Sequence, residues 1–125
     1  GAALASLHHD GIIHGRPALR DITYLDGKLT FLDWENRMYA RDQETLKALD
    51  FLLLLQGICR ENYREEKSRV AAVIRGYEEN GGAPSVENAR QFLKHHSLIG
   101  SLVHLLSPFQ MKDIESVRKI YDYLK

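Results

Sequence analysis

The apolar and polar positions divide the chain into two parts. Residues 1–36 form short apolar runs that glycine and proline interrupt, whereas the sequence from about Asp42 onward shows apolar residues at helical spacing. The first part begins with a predicted helix, Ala2–Asp10, because Leu4 and Leu7 lie one turn apart and Gly11 follows as a typical C-terminal residue. The overall pattern predicts a mainly α-helical fold.

A β-hairpin is predicted directly after an irregular loop at residues 14–21. Ile22–Leu25 and Lys28–Leu32 are rich in β-branched and aromatic residues, and the dipeptide Asp26-Gly27 separates them. This dipeptide favours the tight type I′ turn that joins two antiparallel strands.

Four helices are predicted in the second part of the chain. In the first of them, apolar side chains lie on nearly every face, which is typical of a central, buried helix. Asp42 and Ser85 are candidate N-caps for two of the four, and Pro108 ends one of them. The predicted ranges are Asp42 to about Cys59, Tyr63 to about Asn80, Ser85 to about Leu106, and Asp113 to Tyr123.

Composition excludes several classes of protein. The 125 residues include 17 Lys and Arg and 17 Asp and Glu, so the basic excess that broad nucleic-acid binding requires is missing. The longest apolar run, Phe51–Leu55, is far shorter than the roughly 20 residues of a transmembrane helix. The start of the chain lacks the basic region of a signal peptide. Cys59 is the only cysteine, which excludes an intrachain disulfide and fits a reducing compartment.

Two acidic residues, Asp21 and Asp33, lie at the two ends of the predicted hairpin. Because the ends of antiparallel strands are adjacent, these residues are expected to lie close together. Two carboxylates suit Mg²⁺, which takes few protein oxygens and completes its coordination with phosphates and water. The alternative is that Asp21 caps a turn and Asp33 merely ends a strand.

This layout resembles the catalytic loop and metal-binding turn of the protein-kinase-like fold, in which the motif H-x-D-x-x-x-x-N precedes a hairpin that ends in D-F-G. His14 matches the His of that loop, and Arg16 stands at the position of the catalytic Asp. Asp21 matches the metal-binding Asn, Asp33 the Asp of D-F-G, and Trp34 its Phe. The closest likeness is to the atypical bacterial branch of lipopolysaccharide-core and Kdo kinases, Bud-type kinases and aminoglycoside phosphotransferases.

The resemblance implies the large lobe of a phosphotransferase. Residues 1–41 would form the leading helix, catalytic loop, hairpin and metal turn, and residues 42–125 the helical subdomain. Asp33 and Asp21 would bind Mg²⁺ or Mn²⁺ and thereby ATP, and His14 would organise the loop. The acceptor would be a hydroxyl on a sugar, a lipopolysaccharide core or a protein. The implied location is the cytoplasm, including its side of the inner membrane as a peripheral protein.

The sequence departs from the family pattern at three points. Arg16 cannot act as a base, because guanidinium stays charged, but it could clamp a phosphate or an acidic acceptor. Glu35 replaces the Gly of D-F-G. The Gly-rich loop and strand Lys of the small lobe are missing from residues 1–125, so a longer parent chain or a partner would supply that lobe. These departures leave two alternatives open: an inactive kinase-like binding or regulatory module, and a plain helical interaction domain.

Other polar residues have simpler interpretations. His8, His9 and Asp10 are typical of polar residues at a helix end and only weakly indicate a metal site. In the kinase-like family an acidic residue of the buried helix braces the catalytic loop. Asp42 and Asp50 both qualify, and Asp42 also has the ordinary role of an N-cap.

Overall fold

The computed structural model describes residues 1–34, 42–61, 64–95 and 111–125, with side chains described from residue 115 in the last segment. Within these ranges the protein is mainly helical and carries one small antiparallel sheet. The strands are β1 (Ile22–Leu25) and β2 (Lys28–Phe31), and the helices are α1 (Ala2–His9), α2 (Gln43–Arg60), α3 (Glu66–Tyr77), α4 (Ala83–His95) and α5 (Met111–Leu124).

Helix α2 is the centre of the structure, as its apolar sequence predicts. It contacts α3, α4 and α5 as well as the loop before β1. Its N-terminus is fixed by Asp42, whose Oδ1 accepts a hydrogen bond from the Thr45 backbone N–H at 2.8 Å. The predicted cap is therefore confirmed. Its buried apolar side chains are Ala48, Leu49, Phe51, Leu52, Leu54, Leu55, Ile58 and Cys59.

The β-hairpin is also confirmed in place and register. Ile22 pairs with Phe31 and Leu25 with Lys28, so that Asp26 and Gly27 form the two-residue turn. Both turn residues have positive φ, 49° and 78°, as the type I′ geometry requires. Only Phe31 at the end of β2 is buried, so the hairpin contacts the core at its open end and projects its turn into solvent.

The boundary between α3 and α4 differs from the prediction. Residues Glu78–Gly82 form a wide helical turn in which Gly81 has a φ of 93°, and α4 begins immediately afterwards at Ala83. The assignment of Ser85 as N-cap is therefore wrong. Pro84 is favoured in the first turn of a helix, where its missing N–H costs no hydrogen bond, and it allows the helix to begin earlier. Ser85 is instead buried inside that turn.

The predicted helix start at Tyr63 is too early, because α3 begins at Glu66. Two other predictions fall outside the described residues: the continuation of α4 to Leu106 and the break at Pro108. Helix α5 covers the predicted range Asp113 to Tyr123. None of the helices in the described ranges combines the length and the apolar character needed to cross a membrane.

Candidate functional site

The loop of residues 12–21 connects α1 to the hairpin and carries the candidate chemistry. Gly11, at a φ of 73°, ends α1, and the Ile12 N–H donates to the Leu7 carbonyl at 2.9 Å. The side chain of Pro17 is fully buried, which anchors the middle of the loop. The loop ends in a short helical turn, Leu19–Asp21, that leads directly into β1.

Asp50 of α2 holds this loop in place through hydrogen bonds to its backbone. Its carboxylate is completely buried and accepts hydrogen bonds from two successive backbone amides, His14 N–H to Oδ2 and Gly15 N–H to Oδ1, each at 2.9 Å. Gly15 has a φ of 95°, a conformation that favours glycine, and this turns both N–H groups toward one side chain. Of the two acidic candidates, Asp50 contacts the loop, whereas Asp42 caps α2.

His14 joins the loop to the far end of the hairpin. Its ring is buried, and its Nε2 donates to the carbonyl of Leu32 at 2.9 Å. Its Nδ1 accepts from the Arg16 backbone N–H at 3.3 Å, which is consistent with a neutral ring protonated on Nε2. The rings of His14 and Trp34 lie 4.7 Å apart, so His14 also supports the residue after Asp33.

The backbones of the two predicted metal ligands meet at the open end of the hairpin. The Leu32 N–H donates to the Asp21 carbonyl at 2.7 Å, which places Asp33 one residue beyond the partner of Asp21. Asp33 is exposed and has a φ of 54°. The left-handed conformation is unusual for a residue other than glycine and turns the chain sharply after the strand.

The Asp21 side chain is largely enclosed. Its Oδ2 is buried and receives no hydrogen bond from the part of the chain that the structure describes, while the Arg20 Nε lies 3.6 Å away. A buried carboxylate oxygen without a hydrogen-bond donor is costly, so this atom is suited to a cation. Across residues 1–34, 42–61, 64–95 and 115–125, no three His, Cys, Asp or Glu side chains form a metal-binding group. Two carboxylates would thus leave most coordination positions to phosphate and water.

Arg16 lies in the same loop, between His14 and the buried Pro17, and is half-buried. Its guanidinium keeps its charge throughout the usable pH range, so the side chain can stabilise negative charge but cannot remove a proton.

A buried polar group behind the loop was missed by the sequence analysis. His8 of α1 is buried, and its Nε2 donates to Asp50 Oδ2 at 2.9 Å. Its Nδ1 accepts a hydrogen bond from the Tyr77 hydroxyl at the end of α3. The interpretation of His8 as an ordinary helix-end residue is therefore wrong. Its spacing of four residues from the buried Leu4 was the available signal, because it places His8 on the apolar face of α1.

Burial raises the pKa of two side chains in the core, Tyr77 and Cys59. Desolvation raises the pKa of Tyr77 to about 12, while a hydrogen bond with the Ser85 side chain acts in the opposite direction. Desolvation, assisted by the negative charge of Glu66, raises the pKa of Cys59 to about 12. Cys59 is therefore a protonated, buried thiol rather than a nucleophile.

Comparison with known proteins gives one similarity. The chain is 32% identical over 120 residues to an uncharacterized protein of Haemophilus influenzae, and the match covers 96% of this chain and 49% of that protein. The chain thus spans about half the length of the curated relative it matches. No family model and no solved structure matches the chain.

Proposed function

We propose that this chain is the large lobe of an atypical kinase-like phosphotransferase that transfers a phosphoryl group from ATP to a hydroxyl-bearing acceptor. Asp33 and Asp21 would bind Mg²⁺ or Mn²⁺ together with the ATP phosphates. A small lobe, from a longer parent chain or a partner, would complete the nucleotide site. Because this type of reaction depends mainly on positioning and electrostatics, a braced loop that presents carboxylates to a cation is its central requirement.

The observation that carries the proposal is the enclosed Asp21 carboxylate beside the sharply turned Asp33. The loop that presents Asp21 is held by Asp50 and His14, and the same His14 contacts the carbonyl that precedes Asp33. The rigid framework keeps both acids at one edge of the hairpin, where Arg20 forms an ion pair with Asp21.

Exposed apolar side chains at both ends of the hairpin, Leu32 and Trp34 beside the two acids and Tyr24 and Leu25 beside the turn, support the need for a covering lobe. Tyr24 and Leu25 expose 74% and 73% of their surface, and Leu32 and Trp34 about half of theirs. Such a group of large apolar side chains marks a surface that another part of a protein or a ligand covers. The relative, of which this chain spans about half, has sufficient additional length to hold such a lobe.

Arg16 would replace proton abstraction by electrostatic stabilisation. Its charge would lie close to the transferred phosphoryl group or to an acidic group of the acceptor, and a guanidinium binds either through two parallel hydrogen bonds. General base catalysis contributes only part of the rate in phosphoryl transfer, so activity without a base is chemically reasonable.

The second candidate is a catalytically inactive kinase-like module that binds a nucleotide or a partner. Arg16 favours it, since this residue stands at the position where the family has its catalytic Asp. The enzyme requires cation binding at Asp33 and turnover, whereas the inactive module requires no turnover.

Isothermal titration with Mn²⁺ and with Mn²⁺-ATP, on the longest polypeptide that carries this sequence, tests the proposal. Asp33→Asn should weaken cation binding by about tenfold or more, because a full charge is lost next to the ion. Asp26→Asn is the matched control: Asp26 is also acidic and exposed, and has positive φ, but it lies at the other end of the hairpin. Equal binding by the parent protein and Asp33→Asn would overturn the proposal.

Turnover separates the two candidates. Hydrolysis or transfer of the ATP γ-phosphate that requires Asp33 and Arg16 would establish the enzyme. Mn²⁺-ATP binding without any phosphate release or transfer would establish the inactive module.

A further inference from the structure

A chain of buried hydrogen bonds runs from the end of α3 to the loop of residues 12–21. The Tyr77 hydroxyl contacts His8, His8 contacts Asp50, and Asp50 holds the backbone of His14 and Gly15. All three of the linking side chains, Tyr77, His8 and Asp50, are buried. They come from α3, α1 and α2, so the chain joins three helices to one loop.

The direction of each hydrogen bond in this chain follows from a neutral His8 beside an ionised Asp50. The ionised carboxylate of Asp50 only accepts, so the Nε2 of His8 must carry the proton that it donates. In neutral His8 the Nδ1 is then an acceptor, and the Tyr77 hydroxyl is its donor. Asp50 therefore selects the Nε2-protonated form of His8, and the Tyr77 hydroxyl, bonded to the other ring nitrogen, fixes the orientation of the imidazole ring.

The Tyr77 hydroxyl is itself held in place by tight packing of the phenol ring. The ring stacks on Phe51 of α2 at a centroid distance of 4.5 Å and an interplanar angle of 24°. On another side lies Gly82, where an added Cβ would overlap the ring carbons of Tyr77. The ring is thus held by α2 and by the turn between α3 and α4.

We propose that Tyr77 is a positioning residue for the loop of residues 12–21. Through His8 and Asp50, its hydroxyl holds the His14 and Gly15 amides in the arrangement that presents Asp21 next to Asp33. The consequence for cation binding rests on the proposed function, whereas the effect on the loop itself does not.

A purely structural role for Tyr77 makes a different prediction. If Tyr77 only fills the core, Tyr77→Phe keeps the ring and its stacking, and any loss of stability is spread over the whole protein. If Tyr77 positions the loop, removal of the hydroxyl leaves His8 Nδ1 without its partner and frees the imidazole ring to reorient. The hydrogen bond to Asp50 then weakens, and the effect is concentrated at His14 and Gly15.

The test is amide hydrogen exchange measured by NMR on Tyr77→Phe. Exchange at His14 and Gly15 should accelerate by about tenfold relative to buried amides of α2, which corresponds to the loss of one buried hydrogen bond. Tyr123→Phe is the matched control, because its hydroxyl also donates a hydrogen bond to a side chain, the Glu66 carboxylate at 2.8 Å, but it lies away from the loop. Unchanged relative exchange at His14 and Gly15, or the same acceleration in the control, would overturn the proposal.

A second measurement needs no variant. The ¹⁵N shifts of the His8 ring in the parent protein should show the neutral tautomer protonated on Nε2, and the Nδ1-protonated form would contradict the assignment. Mn²⁺ titration of Tyr77→Phe separates this proposal from the function. If the parent binds Mn²⁺ and the variant binds as well as the parent, the positioning role is wrong. If the parent protein itself does not bind Mn²⁺, the proposed function fails, and the hydrogen-exchange data alone decide whether Tyr77 positions the loop.

Discussion

Replacement of Asp50 by asparagine is the most direct test of how the loop is held. Asp50→Asn keeps the size of the side chain but changes one of the two oxygens into an NH₂ group, which only donates. In the parent protein, one oxygen accepts from Gly15 N–H and the other from His14 N–H and His8 Nε2. In either orientation of the new amide, its NH₂ faces at least one backbone N–H of the loop.

The cost follows from these contacts. A buried N–H that loses its acceptor costs about 1–3 kcal/mol, and the remaining hydrogen bonds lose the strengthening that a charged acceptor provides, about 1 kcal/mol. We therefore expect Asp50→Asn to reduce the free energy of unfolding by about 2–4 kcal/mol. That is a large share of the ~5–15 kcal/mol that stabilises an ordinary domain.

Urea unfolding followed by circular dichroism at 222 nm measures this loss of stability. The urea concentration at the midpoint should fall, while the dependence of the unfolding free energy on urea concentration stays unchanged. Fluorescence of Trp34, the only tryptophan, reports on the loop separately because its ring contacts His14. Asp42→Asn is the control on the same helix. Asparagine caps a helix about as well as aspartate, so this variant should remain close to the parent protein.

Two results would refute the reasoning. The first is a loss of stability in Asp50→Asn that is no greater than that in Asp42→Asn. The second is a large loss of stability with unchanged Trp34 emission in the folded state, since a freed loop must alter the contact between His14 and Trp34.

Two further predictions concern the core. Cys59, Tyr77 and Tyr123 have pKa values raised by burial to about 12 from ordinary values of 9.0 for the thiol and 10.0 for the phenols, so the folded state holds these protons more tightly. Stability should be complete below about pH 9 and decline as the pH rises toward 12, and a urea midpoint that stays constant to pH 12 would contradict this. Gly82→Ala should destabilise the protein by about 1–3 kcal/mol through overlap with the Tyr77 ring, whereas Gly57→Ala should stabilise it by up to about 1 kcal/mol. In Gly57→Ala the new Cβ lies no closer than 3.7 Å to the loop, which is an ordinary contact distance. Thermal unfolding should therefore show a lower midpoint temperature for Gly82→Ala and a higher one for Gly57→Ala than for the parent protein.

The elements that local rules govern could be predicted from the sequence. Asp26-Gly27 between two β-branched segments defined the hairpin and its register, because few residue pairs tolerate two consecutive positive φ values. Asp42 marked the start of α2, because its side chain caps the first turn. The start of α4 was missed, since Ser85 has the composition of a cap but Pro84 and the preceding wide turn allow helical structure from Ala83.

The site was predictable only in part. The loop, Asp21 and Asp33 follow from the hairpin, because antiparallel pairing joins residues that are distant along the chain. The role of Asp50 in holding the loop does not follow from the sequence, since Asp42 and Asp50 lie on the same helix and both are acidic. Which of them faces the loop depends on how α2 is rotated about its axis in the core.

The sequence by itself determined the mainly helical architecture, the hairpin and the placement of two acids at its open end. These depend on backbone preferences and on the periodicity of apolar residues, which act over a few residues. The tertiary structure alone decided that Asp50 holds the loop and that His8 and Tyr77 stand behind it. Asp50 and Tyr77 are 42 and 69 positions from His8 along the chain. Only the packing of α1, α2 and α3 brings their polar atoms into one buried cluster in which each must find its partner.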